Sequence, residues 1–335
     1  MPASPNQRTK LLHLQNILLE KTDEKNPISV PEIIAELKKR GIHAERKAIY
    51  TDIEILREYG LDIEIQSGKV PRHFVGHRQF ELPELKLLVD AVQSSRFITA
   101  KKSEELITKL SSMTSQHQAA ELKRQIFVAG RPKSFNEQAF YSVDAIHTAI
   151  NAEKKITFKY FDYNIEKKRV FRKKGTRYEV TPITLCWDSD KYYLIAYNAE
   201  HDELRNYRVD RMDKVIVSEA DGNDYDRSTF KASEHIKGMF GMYGGEVVRA
   251  TLAFDNGFVN IVLDYFGKEI KIEPKDNGTF EIIADITVSP VFFGWMFQFC
   301  GKAQILSPSR LVDSMGEMLG ENTALYGKLS AAKDT

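Results

Sequence analysis

Cysteine and long apolar runs are both scarce in this chain of 335 residues. Its two cysteines, Cys186 and Cys300, lie far apart in apolar surroundings, which excludes a disulfide-rich scaffold and disfavours a metal site built from cysteine. No apolar run approaches the roughly 18–20 residues that cross a bilayer. The opening stretch MPASPNQRTK lacks the apolar core of a signal peptide. These absences predict a cytoplasmic protein with no membrane partner.

Motifs that would carry catalysis are missing as well. The glycine-rich stretch GMFGMYGGE (238–246) lacks the Gly-Lys-Ser/Thr of a phosphate-binding loop and is predicted to be a mobile loop. HFVGH (73–77) has metal-like spacing, but no third ligand accompanies it. No serine or cysteine stands in a nucleophile motif. The sequence therefore predicts a protein that is not an enzyme and uses neither a cofactor nor a metal.

Neither sign of charge predominates over the whole chain, since the formal net charge is only +1. The charges are nevertheless distributed unevenly. From Glu153 to Tyr178 there are ten Lys/Arg against three Asp/Glu, a net of +7, whereas from Val215 to the end there are eleven against seventeen, a net of −6. The basic middle predicts an anionic partner, with a solvated charged face as the alternative.

Residues 1–78 are predicted to form a winged helix-turn-helix DNA-binding domain. Two amphipathic helices, the second opened by a capping box of Ser29 and Glu32, lead through a tight turn to a third helix. Two short alternating runs then flank Ser67-Gly68, which indicates a hairpin.

The third predicted helix has an apolar face and a basic face. Ile49, Ile53 and Leu56 follow the spacing i, i+4, i+7 and are predicted to be buried. The opposite face would enter the major groove, while its neighbours would meet phosphates. The alternative is a small helical domain with a solvated charged face. The predicted DNA-binding residues are Arg46, Lys47, Tyr50, Thr51, Lys38 and Lys39.

Residues 79–140 are predicted to form a helical connector with a loop at residues 130–134. The connector carries an apolar stripe of Leu82, Leu85, Val89 and Val92. Such a stripe can pack within its own chain or against a second copy. The sequence leaves both options open, and the stripe is a candidate for part of a dimer contact.

Two further domains are predicted from strand patterns. Within 141–222, five short runs rich in β-branched and aromatic residues indicate a small barrel. Within 245–330, a β–α–β–β–α–β order indicates a ferredoxin-like module.

The stretch RNYRVDRM (205–212) is the most concentrated candidate for anion binding. Because strand residues two apart share a face, Arg205 is predicted to lie opposite Arg208, with Arg211 beyond the strand end. Arginine offers a planar fork suited to phosphate, and tyrosine offers a face for a base. The alternative is salt bridging of these arginines to Asp210 and Asp213.

Over nearly its full length the chain resembles the WYL-domain transcriptional regulators. The family is named for a Trp-Tyr-Leu run, which is YYL here (192–194). The family's R-x-x-R pattern is matched at Arg208 and Arg211. KAIYTDIEIL (47–56) is similar to the family's recognition-helix run, and QILSPSRL (304–311) is similar to its C-terminal extension.

The resemblance implies an α+β multidomain protein: a winged helix-turn-helix, a helical connector, a small SH3/Sm-like β-barrel (the WYL domain) and a ferredoxin-like C-terminal dimerisation domain. Thr51 departs from the family's run, where arginine is usual. The implied function is that of a homodimeric regulator of a double-stranded DNA operator. It is expected to be a repressor of phage-defence or DNA-damage genes.

The resemblance also implies that the barrel senses a nucleic-acid-derived effector, such as a single strand or a nucleotide. A nucleic-acid-processing enzyme would need clustered carboxylates or a metal set, which the sequence lacks. A structural nucleic-acid binder that senses nothing remains open. The basic residues and the resemblance together predict these ligand-binding residues: Tyr193, Arg208, Arg211, Lys173 and Lys174.

Overall fold

A computed structural model describes residues 5–122, 133, 136–236 and 239–331. The chain divides into two compact units, residues 1–137 and 138–335. Both mix helices with antiparallel sheet, as the sequence predicted. No helix in the part described is long and apolar enough to cross a membrane.

The first unit opens with three helices and three short strands. The antiparallel sheet has the order β1–β3–β2, and β1 was not predicted. The Glu32 carboxylate accepts hydrogen bonds from the Ser29 backbone N–H at 2.7 Å and from its hydroxyl at 2.6 Å, so the start of α2 lies where the capping box predicted. The elements are α1 (Pro5–Lys21), β1 (Ile28–Ser29), α2 (Val30–Lys39), α3 (Arg46–Glu58), β2 (Ile63–Gln66) and β3 (Arg72–Val75).

One apolar cluster joins these three helices. Its fully buried members from α1 are Leu14, Ile17 and Leu18. The predicted stripe of α3 is buried against them, since Ile49, Ile53 and Leu56 are at most 2% exposed. The spacing of these side chains is therefore what turns the other face of α3 to solvent.

The connector stripe is covered within the chain. Three helices follow the hairpin: α4 (Leu82–Ser94), α5 (Ala100–Ser111) and α6 (Gln116–Leu122). Leu85 and Val89 are buried in one cluster with Leu122 of α6, and Ile107 of α5 packs against it. Of the two options that the sequence left open, packing within the chain is the one seen for Leu85 and Val89. The predicted loop at 130–134 lies outside the described residues, apart from Lys133.

A curled sheet forms the start of the second unit. Its order is β5–β4–β6–β7–β8, with β9 paired to β4. Only the three-residue turn Val209–Arg211 separates β8 from β9, so the sheet must curl to bring its two ends together. The five predicted strands are present, and β5 was missed. The elements are α7 (Gln138–Asn151), β4 (Lys154–Tyr163), β5 (Arg169–Phe171), β6 (Tyr178–Asp188), β7 (Lys191–Asn198), β8 (Glu203–Arg208) and β9 (Met212–Asp221).

The remainder of the second unit contains a four-stranded antiparallel sheet of order β11–β12–β10–β13. The β–α–β–β–α–β order along the chain is the predicted one, and the ferredoxin-like assignment stays a prediction. Phe254, Phe280 and Phe292 lie in its aromatic core. The elements are α8 (Ala232–Ile236), β10 (Val247–Asp255), α9 (Val259–Phe266), β11 (Ile272–Pro274), β12 (Thr279–Thr287), α10 (Pro290–Phe297), β13 (Ala303–Ser307) and α11 (Ser309–Ala331).

Residues 239–245, here called the strap, connect these two sheets. Phe240 is buried in the aromatic core and stacks on Tyr265, with ring centroids 4.5 Å apart. Met242 is buried beside Tyr193 of the curled sheet. A Cβ on Gly245 would lie 2.5 Å from a backbone carbonyl oxygen, so no larger residue fits there without a shift. The sequence predicted a mobile loop, but this part of it is anchored at both ends.

A buried carboxylate in the turn that follows α1 contacts the connector inside the first unit. The Asp23 side chain accepts hydrogen bonds from the Asn26 amide at 2.8 Å and from the Ser115 hydroxyl. The Ser115 hydroxyl accepts one from the backbone N–H of Gln118, which caps α6. Burial by itself would raise the pKa of Asp23, but hydrogen bonds from Ser115, Asn26 and the Lys25 backbone hold it below its ordinary value.

Replacing Asp23 by alanine should lower the free energy of unfolding of the first unit by about 1–3 kcal/mol, because buried donors lose their acceptor. The folded pKa lies below the unfolded value of about 3.9. This stability is therefore present above about pH 4 and is lost as the pH falls through the folded pKa. Urea unfolding over an acid-to-neutral series measures it. The exposed Glu24→Ala is the control, and equal unfolding of both variants at every pH would contradict the prediction.

Candidate functional site

The exposed face of α3 carries four of the residues predicted to bind DNA. Burial of Ile49 and Ile53 fixes which side of the helix meets solvent. The side chains on the opposite side are all exposed: Arg46, Lys47, Tyr50 and Thr51.

Contacts within this face order some of its side chains. An Arg46 guanidinium N–H donates to the Tyr50 hydroxyl at 3.3 Å, and the guanidinium carbon lies 5.9 Å from the ring centroid. The Tyr50 ring meets the edge of His73 from the predicted wing, with centroids 6.1 Å apart. The Thr51 hydroxyl donates to the Lys47 carbonyl at 3.3 Å. Among the described residues Lys47 forms no ion pair, so it has the freest cation of this face.

The two lysines at the end of α2 differ. Both are exposed. Lys39 lies 2.7 Å from Glu36, which is also 2.7 Å from Lys21. Hydrogen bonds from these two lysines, first Lys21 and then Lys39, lower the pKa of Glu36 to about 2. Lys38 makes no ion pair within the part of the chain that the structure describes.

In the second unit a cavity of about 920 Å³ lies between the curled sheet and the strap. Two predicted ligand residues, Tyr193 and Arg208, line it and are direct cross-strand partners on β7 and β8. Burial raises the pKa of Tyr193, so its phenol stays neutral. The pair therefore places a hydroxyl and a guanidinium on one wall.

Arg208 is held by a carboxylate. Its Nε donates to Asp210 Oδ1 at 3.1 Å, and its Nη2 donates to Asp210 Oδ2 at 2.7 Å. Burial acts to lower the pKa of Arg208, but the hydrogen bonds and charge of Asp210 outweigh it and raise the pKa. Its backbone N–H donates to the Tyr160 hydroxyl at 3.1 Å. The salt bridge considered as the alternative is present, and it uses two of the five N–H donors of a guanidinium.

Sequence reasoning missed three residues of the same wall: Tyr160, Arg172 and Tyr178. The Arg172 guanidinium carbon lies 5.2 Å from the centroid of the Tyr160 ring. Tyr160 and Tyr178 belong to an aromatic cluster in which Phe158 stacks on Tyr178 and both rings meet Tyr160 edge to face. The alternation of aromatic and basic residues in KKRVFRKKGTRYEV was the available signal, but it does not say which members face a cavity.

Arg211, Lys173 and Lys174 do not line the cavity. The turn Val209–Arg211 takes Arg211 off the strand, and its Nη1 lies 3.5 Å from Asp162 of β4. Lys173 lies 2.6 Å from Glu200 and 5.0 Å from the centroid of the Tyr178 ring. The structure thus splits the predicted ligand residues into a cavity pair and a peripheral set.

The strap supplies the other wall. The Asn206 side-chain amide donates to the Met242 carbonyl at 3.1 Å, and its oxygen lies 3.4 Å from His235 Nε2. Burial lowers the pKa of His235, which favours a neutral imidazole. Arg205, paired with Glu203, also lines the cavity, although it is not among the predicted ligand-binding residues.

Comparison with known proteins identifies the domain around the cavity. A family model described as "WYL domain" matches residues 142–217. Among solved structures, the chain is similar to proteasome accessory factor B/C (PafBC) of Arthrobacter aurescens at 19% identity and a TM-score of 0.29. The alignment covers 93% of this chain and 47% of that one, so this chain spans about half its length. At that TM-score nothing about fold or function is transferred. No curated protein sequence matches.

The stretch that the family model matches contains the central residues of the cavity. The cavity residues Tyr160, Arg172, Tyr178, Tyr193 and Arg208 all lie inside the matched stretch. The resemblance expected from the sequence is therefore confirmed for this part of the chain. Residues 142–217 of this chain therefore form a WYL domain.

Proposed function

We propose that the protein is a DNA-binding transcriptional regulator whose WYL domain binds an anionic effector derived from nucleic acid. The observation that carries the proposal is the cavity of about 920 Å³ in which Arg172, Arg205 and Arg208 lie beside tyrosine rings. Guanidinium groups suit phosphate, and tyrosine faces suit nucleobases. A volume of this size is within the usual range for small-ligand sites.

DNA binding is assigned to the first unit. We interpret its first three helices and three strands as a winged helix-turn-helix with α3 as the recognition helix. A helix in the major groove needs an exposed polar face over a buried apolar one, and α3 has both. Lys38 and Lys39, at the end of α2, would then contact phosphates.

Regulation requires that effector and operator affinities are linked. An effector can change DNA affinity only if it binds the two conformational states unequally. From the resemblance we further propose a homodimer, with the C-terminal domain taking part in dimerisation, that represses phage-defence or DNA-damage genes in the cytoplasm. Operators would carry inverted repeats about one helical turn, roughly 34–36 Å, apart.

The double variant Arg46→Ala/Lys47→Ala is expected to weaken binding to operator fragments, selected from genomic DNA with the unaltered protein. If both side chains contact phosphate, the slope of log K against log salt should fall by roughly two. Lys101→Ala/Lys109→Ala on α5 removes the same charge and should change neither quantity. Unchanged operator affinity in the α3 variant would contradict the placement of the recognition helix.

Arg208→Ala is expected to weaken binding of short phosphorylated single strands by about ten- to a hundredfold, the effect of losing one charge-assisted hydrogen bond. Operator affinity without oligonucleotide should stay the same, while the response to oligonucleotide is lost in a gel shift. Lys168→Ala, which removes an exposed cation from the neighbouring hairpin, is the matched control. A full response in Arg208→Ala would place the sensor elsewhere, and competition without any allosteric response would favour a structural nucleic-acid binder.

Light scattering at micromolar concentration should show a dimer. A strictly monomeric protein that binds sites without inverted repeats would contradict the proposed assembly.

A further inference from the structure

One carboxylate of the WYL domain contacts two arginines, one that lines the cavity and one that does not. Asp162 of β4 accepts a hydrogen bond from Arg172 Nε through Oδ2 at 2.6 Å. Its other oxygen, Oδ1, lies 3.5 Å from Arg211 Nη1. Arg172 stands in the turn after β5, and Arg211 stands in the turn before β9. Three separate segments of the domain therefore meet at a single side chain.

Only one member of this cluster faces the cavity. Arg172 lines it, whereas Asp162 and Arg211 do not. The bond to Asp162 engages Nε, and the guanidinium carbon lies 5.2 Å from the centroid of the Tyr160 ring. A guanidinium has five N–H donors, so its outer nitrogens can still meet an anion.

The exposure of Arg172 makes an anchor necessary. Its side chain is 56% exposed, and a long cation at a surface loses considerable rotamer freedom when it is held in one place. Within the described residues its guanidinium forms an ion pair with Asp162 and lies over the Tyr160 ring. Without the carboxylate, the ring contact alone would have to hold it.

We propose that Asp162 is a positioning residue of the effector cavity: it holds the Arg172 guanidinium over Tyr160 and couples it to Arg211. This role rests on the proposed binding of an anionic effector. The proposed role and simple electrostatics predict changes of opposite sign in effector affinity. Removing a negative charge near an anion site should tighten effector binding, whereas removing the anchor of a guanidinium should weaken it. The sign of the change therefore separates the two effects.

The test uses the full-length protein and a fluorescent 5′-phosphorylated hexathymidylate. Asp162→Ala should weaken binding by about three- to tenfold, as Arg172 regains rotamer freedom, and Asp162→Asn should weaken it in the same direction. The matched control is Glu166→Gln, which removes the same charge from the same hairpin; among the described residues the Glu166 carboxylate forms an ion pair with exposed Lys168 alone. It should leave affinity unchanged or slightly raise it.

Two further measurements separate positioning from a general structural effect. In an Arg172→Ala background, adding Asp162→Ala should weaken binding little further, because both act through one guanidinium. If the phosphate contact of Arg172 is lost, the slope of log K against log salt for the single strand should fall by roughly 0.7 in Arg172→Ala and in Asp162→Ala. The slope should not change in Glu166→Gln. Thermal melting checks that the variants fold, and Asp162→Asn, which keeps the side-chain shape, is the variant to use if the alanine protein does not.

Binding by Asp162→Ala and Asp162→Asn that equals or exceeds that of the unaltered protein would overturn the role of Asp162. A full additional loss in the Arg172→Ala background would overturn it as well. If Arg208→Ala weakens binding in the same assay while the Asp162 variants do not, only this inference fails. If the unaltered protein does not bind the oligonucleotide at all, the proposed effector class fails and the role of Asp162 falls with it.

Discussion

Each arginine that reaches the WYL cavity is paired with a carboxylate, and the cavity depends on that pairing. Arg208 is paired with Asp210, Arg172 with Asp162 and Arg205 with Glu203. Withdrawing a charge from water, as at the partly buried Arg208, is costly unless the charge is paired and hydrogen-bonded. The pairing also fixes the direction of each guanidinium fork, because a planar group held on one side presents its remaining donors on the other. The site is therefore a set of partly satisfied cations that an anion can join, rather than a row of bare charges.

The parts of the fold that follow from local periodicity could be predicted from the sequence. The burial of Ile49, Ile53 and Leu56 required only helical spacing, and with it came the exposed face of Arg46 and Lys47. The strands of the curled sheet were also recognisable from alternation and β-branched residues. Strand alternation alone could not identify Arg208 as the cross-strand partner of Tyr193, because the pairing depends on the register between β7 and β8.

The sequence did not determine those side-chain environments that are set by residues distant along the chain. Arg211 belongs to the family's R-x-x-R pattern, yet a short turn directs it to Asp162 on another strand. The apolar stripe of α4 has the same pattern whether its partner is α6 or a second copy, and the structure shows Leu122 against it. Arg172 was missed because a run of cations does not reveal which one meets a tyrosine ring.

The WYL domain extends in the structure beyond the residues that the family model matches, because the strap packs against it. The family match ends at residue 217, whereas Met242 packs on Tyr193 and Phe240 lies in the neighbouring aromatic core. One short segment therefore belongs to two hydrophobic cores at once. A fragment cut after β9 would keep every residue that defines the family and would still lack one side of its cavity, with an apolar face of Tyr193 and Ile195 open to water. Affinities measured on such an excised domain would describe a groove that lacks its strap wall rather than the cavity of the intact chain.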